Sequence, residues 1–282
     1  MRHMRRVGAG LLVTVLALSV VACGEKKEEN TTSSVESTVE EKKELTIEER
    51  VAEASKNMDN LESYESKINL ELGFEISFGD EKSEVPLNIE SELVAFKNPT
   101  KTKFVTKVEN PFTEVPEIIE GYTMEENGKN VEFHKEEDEW EVVTDRAEQH
   151  SLENTNYLHM ITTFLKEGQN VKEVGMEDVL GTQATKVQVE MNAGSLKELY
   201  KNDEMLEELL KVDGANLIGE IWLSEDNQVV QCKIDMSSVL KEVSNKEEED
   251  GKATKAIFTV TVDKHNAASD FEIPEEVLKL AE

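Results

Sequence analysis

From Lys67 to Phe78 the chain alternates without a break, with Ile68, Leu70, Leu72, Phe74, Ile76 and Phe78 on one face and Lys67, Asn69, Glu71, Gly73, Glu75 and Ser77 on the other. A period of two sustained this far specifies a β-strand about twice the usual length of 5–6 residues. One of its faces is buried and the other is wet, which is the pattern of an antiparallel sheet covered on one side. The alternation then continues. Val85, Leu87, Ile89, Leu93 and Ala95 line one face before a turn at Asn98, Pro99 and Thr100, and Phe104, Thr106 and Val108 follow in a lysine-rich strand. Consecutive strands joined by short turns predict an antiparallel meander. A hairpin at Asn127 and Gly128 joins the strand around Tyr122 to the one carrying Val131 and Phe133, and a short strand with Trp140 and Val142 comes next.

Helical periodicity interrupts the strands at three places. Thr46 and Glu49 form a T-x-x-E capping box ahead of Ile47, Val51, Ala54, Met58 and Leu61, which share one helix face. A second stripe holds Tyr157, Leu158, Ile161, Phe164 and Leu165, and a third follows a Ser195/Glu198 capping box and carries Leu199, Leu206, Leu209 and Leu210. Between the last two lies a strand with Val187, Val189 and Met191. A hairpin over residues 218–223 and 229–236 and a strand with Ala256, Phe258, Val260 and Val262 follow. Phe271, Glu272, Ile273 and Pro274 read as an edge strand that proline ends before a final helical turn. Long amphipathic strands that curl around a few helices can bury one face without a second sheet. The expected class is therefore α+β, a long curved antiparallel sheet forming an incomplete, half-open barrel with helices packed on its concave apolar face.

The N-terminus stands apart from this pattern. Arg2, Arg5 and Arg6 precede an apolar run over residues 7–21, which matches the h-region of a secretory signal and is shorter than the ~20 residues that span a bilayer. The run ends in Val20, Val21, Ala22 and Cys23, which resembles the bacterial lipobox, so residues 1–22 read as a lipoprotein signal peptide. On that reading the Cys23 thiol accepts a diacylglyceryl group, and the amine freed by cleavage is a second acylation point. At ~0.8 kcal/mol per buried CH₂, two chains hold a protein stably at a membrane where one does not. Residues 23–45 then comprise the lipidated cysteine and a charged tether with too few apolar side chains to offset the entropy of ordering. A flexible tether of this length has an r.m.s. reach of roughly 25 Å. Residues 46–282 are expected to form one domain, placed by Cys23 on the extracytoplasmic face of the bacterial cell membrane.

Charge narrows the partners. The chain carries 31 Lys+Arg against 61 Asp+Glu, a net -30, and loss of residues 1–22 removes three arginines and no acid, taking it to -33. No basic patch is expected that could displace counterions from a phosphate backbone, so nucleic acid is excluded as a partner. Same-sign repulsion also keeps the body from lying flat on an anionic bilayer, which leaves the lipid anchor as the membrane attachment.

The opening helix running into Tyr64, Glu65, Ser66 and Lys67, the region from Tyr122 to Trp140, and the terminal Ile273, Pro274, Glu275, Glu276 and Val277 resemble the Lol-type lipoprotein-localisation superfamily. Among its members the chain is most similar to a group of Gram-positive lipoproteins with no assigned ligand. The resemblance covers most of residues 46–282. It implies an incomplete antiparallel barrel closed by helices over an apolar concave face, and a lipid as the class of cargo.

Signatures of chemistry are not found. His134, His150, His159 and His265 form no H-E-x-x-H or other close pairing, and no P-loop, G-x-G-x-x-G or G-x-S-x-G occurs. The acidic runs at residues 136–139 and 247–250 do not fit a calcium loop and read as solvated turns. Cys232, the only cysteine besides Cys23, shares an apolar strand face with Ile234 and Met236 and reads as a small buried hydrophobe. Neither a metal, a cofactor nor an enzymatic role is expected. Two functions remain. In one, Ile68, Leu70, Leu72, Phe74, Leu87, Ile89, Phe104 and Val260 line a site for a lipid or other apolar ligand. In the other, that face is a dry core and the domain is a tethered interaction or sensor module acting on an envelope protein that the sequence does not identify.

Overall fold

A computed structural model describes residues 45–78, 81–113, 115–126, 129–136, 139–143, 154–196, 216–244 and 251–281. The signal segment, Cys23, most of the tether, the Asn127 and Gly128 turn, His150, Leu199, Leu206, Leu209, Leu210 and the acidic run at 247–250 lie outside the described residues. The long alternating segment is β1 (Ser63–Phe78), and β2 (Glu81–Lys97), β3 (Thr100–Glu109), β4 (Glu117–Glu126), β5 (Lys129–Glu136) and β6 (Glu139–Val143) follow it as a meander. After α2 (Asn154–Glu167) come β7 (Gln169–Val179) and β8 (Thr182–Asn192), then β9 (Asn216–Leu223), β10 (Val229–Asp235) and β11 (Gly251–Asp263). Helix α1 (Ile47–Asp59) opens the domain, α3 (Ser237–Ser244) links β10 to β11, and α4 (Glu275–Leu278) runs into a 3-10 turn at Lys279–Ala281.

The eleven strands among the described residues belong to one antiparallel sheet in the order β6-β5-β4-β3-β2-β1-β11-β10-β9-β8-β7. Its ends, β6 and β7, are not paired with each other, so the barrel stays open. β1 is central because its alternation is satisfied on both edges: Ile68 lies opposite Ser91 of β2 and opposite Val260 of β11. Contacts gather Glu44–Glu282 into one compact unit.

One face of the sheet meets the helices. Val51, Ala54 and Met58 of α1 and Met160, Ile161, Phe164 and Leu165 of α2 join Ile68, Phe104, Val187, Val189, Ile221, Cys232 and Val260 in the main core. The capping box at the start of α1 forms in full, with the Glu49 amide donating to Thr46 Oγ1 at 3.2 Å and the Thr46 amide donating to Glu49 Oε2 at 2.9 Å. Arg50 then ties α1 to the far wing of the sheet. Its guanidinium donates to Asn227 Oδ1 (2.7 Å), Thr185 Oγ1 (2.9 Å) and the Ser224 carbonyl (2.9 Å). Where α2 crosses β9 the sheet carries Gly219, and a Cβ there would sit 2.8 Å from the Phe164 ring.

The outer face has its own packing. Trp222, which alternates with the inward Ile221, joins Val179, Ala184 and Val230 in a second, smaller cluster. Its indole N–H donates to Glu177 Oε2 at 2.9 Å, and the Lys186 ammonium lies 4.7 Å from the ring centre.

The expected edge strand at Phe271–Ile273 is corrected: residues 271–273 are not a strand. The alternation of Phe271 and Ile273 is that of a strand, but the segment pairs with neither edge of the sheet. It instead lies over the outer face, where Phe271 meets Phe96 of β2 and Tyr122 of β4.

Candidate functional site

The register brings the eight candidate residues onto one face of β11, β1, β2 and β3. Leu70 is opposite Ile89 and Phe258, Leu72 opposite Leu87 and Ala256, and Phe74 opposite Val85 and Ala253. Phe104 joins through Leu93 of β2, its partner in the β2–β3 register. The eight do not share one environment. Ile68 and Val260 are fully buried and Phe104 is 2% exposed, so these three are core beneath the helices. Leu70 is partly buried and packs against that core. Leu72, Phe74, Leu87 and Ile89 are half-buried and extend beyond it toward the β1–β2 hairpin, together with Ile76 and Val85. An apolar strip thus runs continuously along β1 and β2 from fully buried positions to half-buried ones, the latter outside the core cluster formed among the described residues.

Alternation also puts polar groups on the inner face; of these, Thr106 is expected there from the sequence, whereas Ser91, Glu132 and His134 are not. Ser91 and Thr106, adjacent across β2 and β3, are buried and share a hydrogen bond of 2.9 Å. Glu132 and His134 of β5 are buried and bonded to each other, and the His134 ring stands edge-on to Phe104 at 5.8 Å between centres. The available signal was the period of two in β5, where the apolar Val131 and Phe133 take the outer face and so turn Glu132 and His134 inward. Inner Gly121 of β4 makes room for this arrangement, lying opposite both Phe104 and His134.

Two open grooves lie on the outer side of the same strands. One of about 350 Å³ is bordered by Lys67, Val94, Val105 and the turn residue Leu180. The other, of about 710 Å³, lies by the β3–β4 connection and is lined by Pro111 and Pro116 together with Gly73 and Pro86. The Cys232 thiol is fully buried, which pushes its pKa up to about 12 and leaves it protonated at neutral pH. Chemically, the inner face offers apolar surface with a polar band beside it. Among the described residues no group of three or more His, Cys, Asp or Glu side chains is placed to hold a metal ion.

Neither a family model nor a curated protein sequence matches the chain. Among solved structures it is similar to the lipoprotein LppX of Mycobacterium tuberculosis, at 13% identity and a TM-score of 0.49, over 80% of this chain and 98% of that one. It is similar to LprF of Mycobacterium bovis at 13% identity and a TM-score of 0.45, over 81% and 96%. A LolA superfamily protein of Nitrosomonas europaea shares 6% identity over 83% and 97%, with a TM-score of 0.20. At such scores, what this chain binds has to be read from its own residues.

Proposed function

We propose that this protein is a lipid-anchored extracytoplasmic lipoprotein that binds a lipid or another apolar ligand at the open half of its barrel, and that it acts by binding rather than by catalysis. The observation that supports this is the graded exposure along β1, from fully buried Ile68 to half-buried Leu72, Phe74 and Ile76 on the same face. A strip that served only as core would be fully buried along its length, whereas this one is graded. Each further apolar group that a ligand covers on it contributes roughly 25 cal/mol per Å².

The test uses protein with residues 1–22 removed and Cys23 replaced, purified without detergent, extracted with organic solvent and examined by mass spectrometry. A stoichiometric lipid is expected in the extract, and its repeated absence sinks the ligand reading. Leu72→Trp fills the half-buried part of the strip and is expected to reduce the extracted lipid at least fivefold while costing about 1 kcal/mol or less of stability. Lost stability with lipid content intact would instead make Leu72 a core residue.

Anchoring is tested separately. Cys23→Ala is expected to abolish incorporation of labelled palmitate in growing cells and to release the protein from the membrane fraction. Labelling that persists in the variant rules Cys23 out as the acceptor.

A second reading, a tethered interaction module, is favoured by one observation. Phe112, Val115 and Ile118, on and beside the β3–β4 connection, are 66%, 73% and 51% exposed. Site-specific crosslinkers at these positions are expected to capture one defined envelope protein if that reading holds, and only scattered background if it does not.

A further inference from the structure

The C-terminal segment crosses half of the outer face and is held there almost entirely by side chains. It leaves β11 through a tight turn in which Lys264 and Asn266 take left-handed φ values of 50° and 55°. Asn266 pins this turn to the start of β1, its amide donating to the Ser63 carbonyl at 2.7 Å and its Oδ1 accepting from the Glu62 amide at 2.7 Å. Beyond it, among the described residues, the backbone–backbone hydrogen bonds of residues 267–281 stay within the segment or return to Lys264. No ladder joins it to the sheet.

Lys101 of β3 is the main fastening. Its ammonium donates to Asp270 Oδ1 at 2.6 Å and to the Phe271 carbonyl at 2.5 Å, and it lies 5.1 Å and 4.7 Å from the ring centres of Phe96 and Phe271. The Phe271 ring is 5.9 Å from Phe96 of β2 and 6.1 Å from Tyr122 of β4, which in turn is 5.2 Å from Trp140 of β6. Farther along, Val277 is fully buried and the 3-10 turn Lys279–Ala281 lies against β6. The contacts therefore reach in sequence from the centre of the sheet to β6, one of its two ends.

We propose that residues 270–281 form a releasable brace, which ties the open end of the sheet at β6 to its centre and undocks as a unit, loosening β4–β6 while β8–β11 stay intact. A segment fastened by side chains can leave without breaking any strand pairing, which is the property of a sub-global opening unit. The β4–β6 end needs such support because it is one of the two ends of the sheet and its outermost member β6 is only five residues long, against eleven for β7 at the other end. The inference concerns the outer face and stands whether or not the inner strip binds a lipid.

Hydrogen exchange followed by mass spectrometry on the intact domain tests it. Lys101→Met keeps an unbranched apolar side chain at this position but removes the ammonium that lies over Phe96 and Phe271. It is expected to speed exchange in β4–β6 and in residues 270–281 about tenfold, less than the sum of the two charge-assisted hydrogen bonds lost because the freed acceptors reach water, with β8–β11 changed less than twofold. Asp270→Asn, a milder change on the exposed partner, is expected to give the same pattern at smaller size. Uniform acceleration of every strand, acceleration of the C-terminal segment alone, or no change in either variant would each overturn the proposal.

Discussion

Gly121→Ala is expected to destabilise the fold by about 3 kcal/mol, a large effect for one methyl group. A Cβ at this position would lie 2.1 Å and 2.6 Å from Cζ and Cε1 of Phe104 and 2.7 Å from the Phe133 carbonyl oxygen. The last of these is backbone in the neighbouring strand and cannot turn aside. Phe104 has little freedom either, being 2% exposed and set edge-on to His134. Strand β4 must then separate from β5, or Phe104 must leave its rotamer, and both disturb the buried Glu132–His134 pair. Denaturant unfolding followed by circular dichroism reads the result as a lower midpoint at unchanged slope. The cause is checked by Phe104→Leu. Alone it leaves a void and costs about 1 kcal/mol, but combined with Gly121→Ala it should recover at least that much of the summed loss, because the two side chains compete for one space. Strict additivity would show that Phe104 is not what the new methyl meets.

Arg50→Met should be nearly as costly, at about 3 kcal/mol. The substitution keeps an unbranched apolar stem on α1 and removes all three guanidinium donors. It leaves Asn227 Oδ1, the Ser224 carbonyl and Thr185 Oγ1 without those partners, and Thr185 and Asn227 are buried. Hydrogen bonds to charged groups contribute about 1.5–3 kcal/mol each, but three to one group do not sum. The Asn57 side chain offers a comparison, since it also reaches this turn, donating to the Asn227 carbonyl at 3.0 Å. Asn57→Ala should cost about 1 kcal/mol in the same unfolding measurement. Equal effects from the two would mean that the loss reports the turn as a whole and not the guanidinium.

Thr46 and Glu49 announced the first helix, and the unbroken alternation after Lys67 announced both the long central strand and its two-faced character. Local spacing was enough there because capping and alternation are decided within a few residues. The same alternation placed all eight candidate residues on one face. It could not say that Ile68, Phe104 and Val260 would be buried while Leu72, Phe74, Leu87 and Ile89 would be only half-buried. Coverage depends on where α1 and α2 cross, which is set by remote contacts such as Arg50 to Asn227 and Phe164 over Gly219. Strand β7 escaped notice because its exposed residues show little alternation, and Val174 and Met176 are 53% and 63% exposed. Phe271 was misread for a related reason: its neighbours fit a strand locally, and only the tertiary structure reveals that the backbone pairs with neither edge of the sheet. The Tyr122 to Trp140 region and the C-terminal segment, separate in sequence, meet around Phe271.

The position of β1 has a consequence for how the chain reaches this state. One edge of β1 finds β2 across a short hairpin, so the meander through β6 can zip up from neighbouring segments early in synthesis. The other edge has to wait for β11, the last of the described strands to be made, since Ile68 pairs with Val260 and Leu70 with Phe258. Until then a long apolar-faced strand stands with one row of amides and carbonyls unpaired, a template for another chain. Closing the two halves brings together distant parts of the chain, so docking of β11 onto β1 is the slow, late step of folding. A chain cut short before β11 would form the first wing and then aggregate through its central strand.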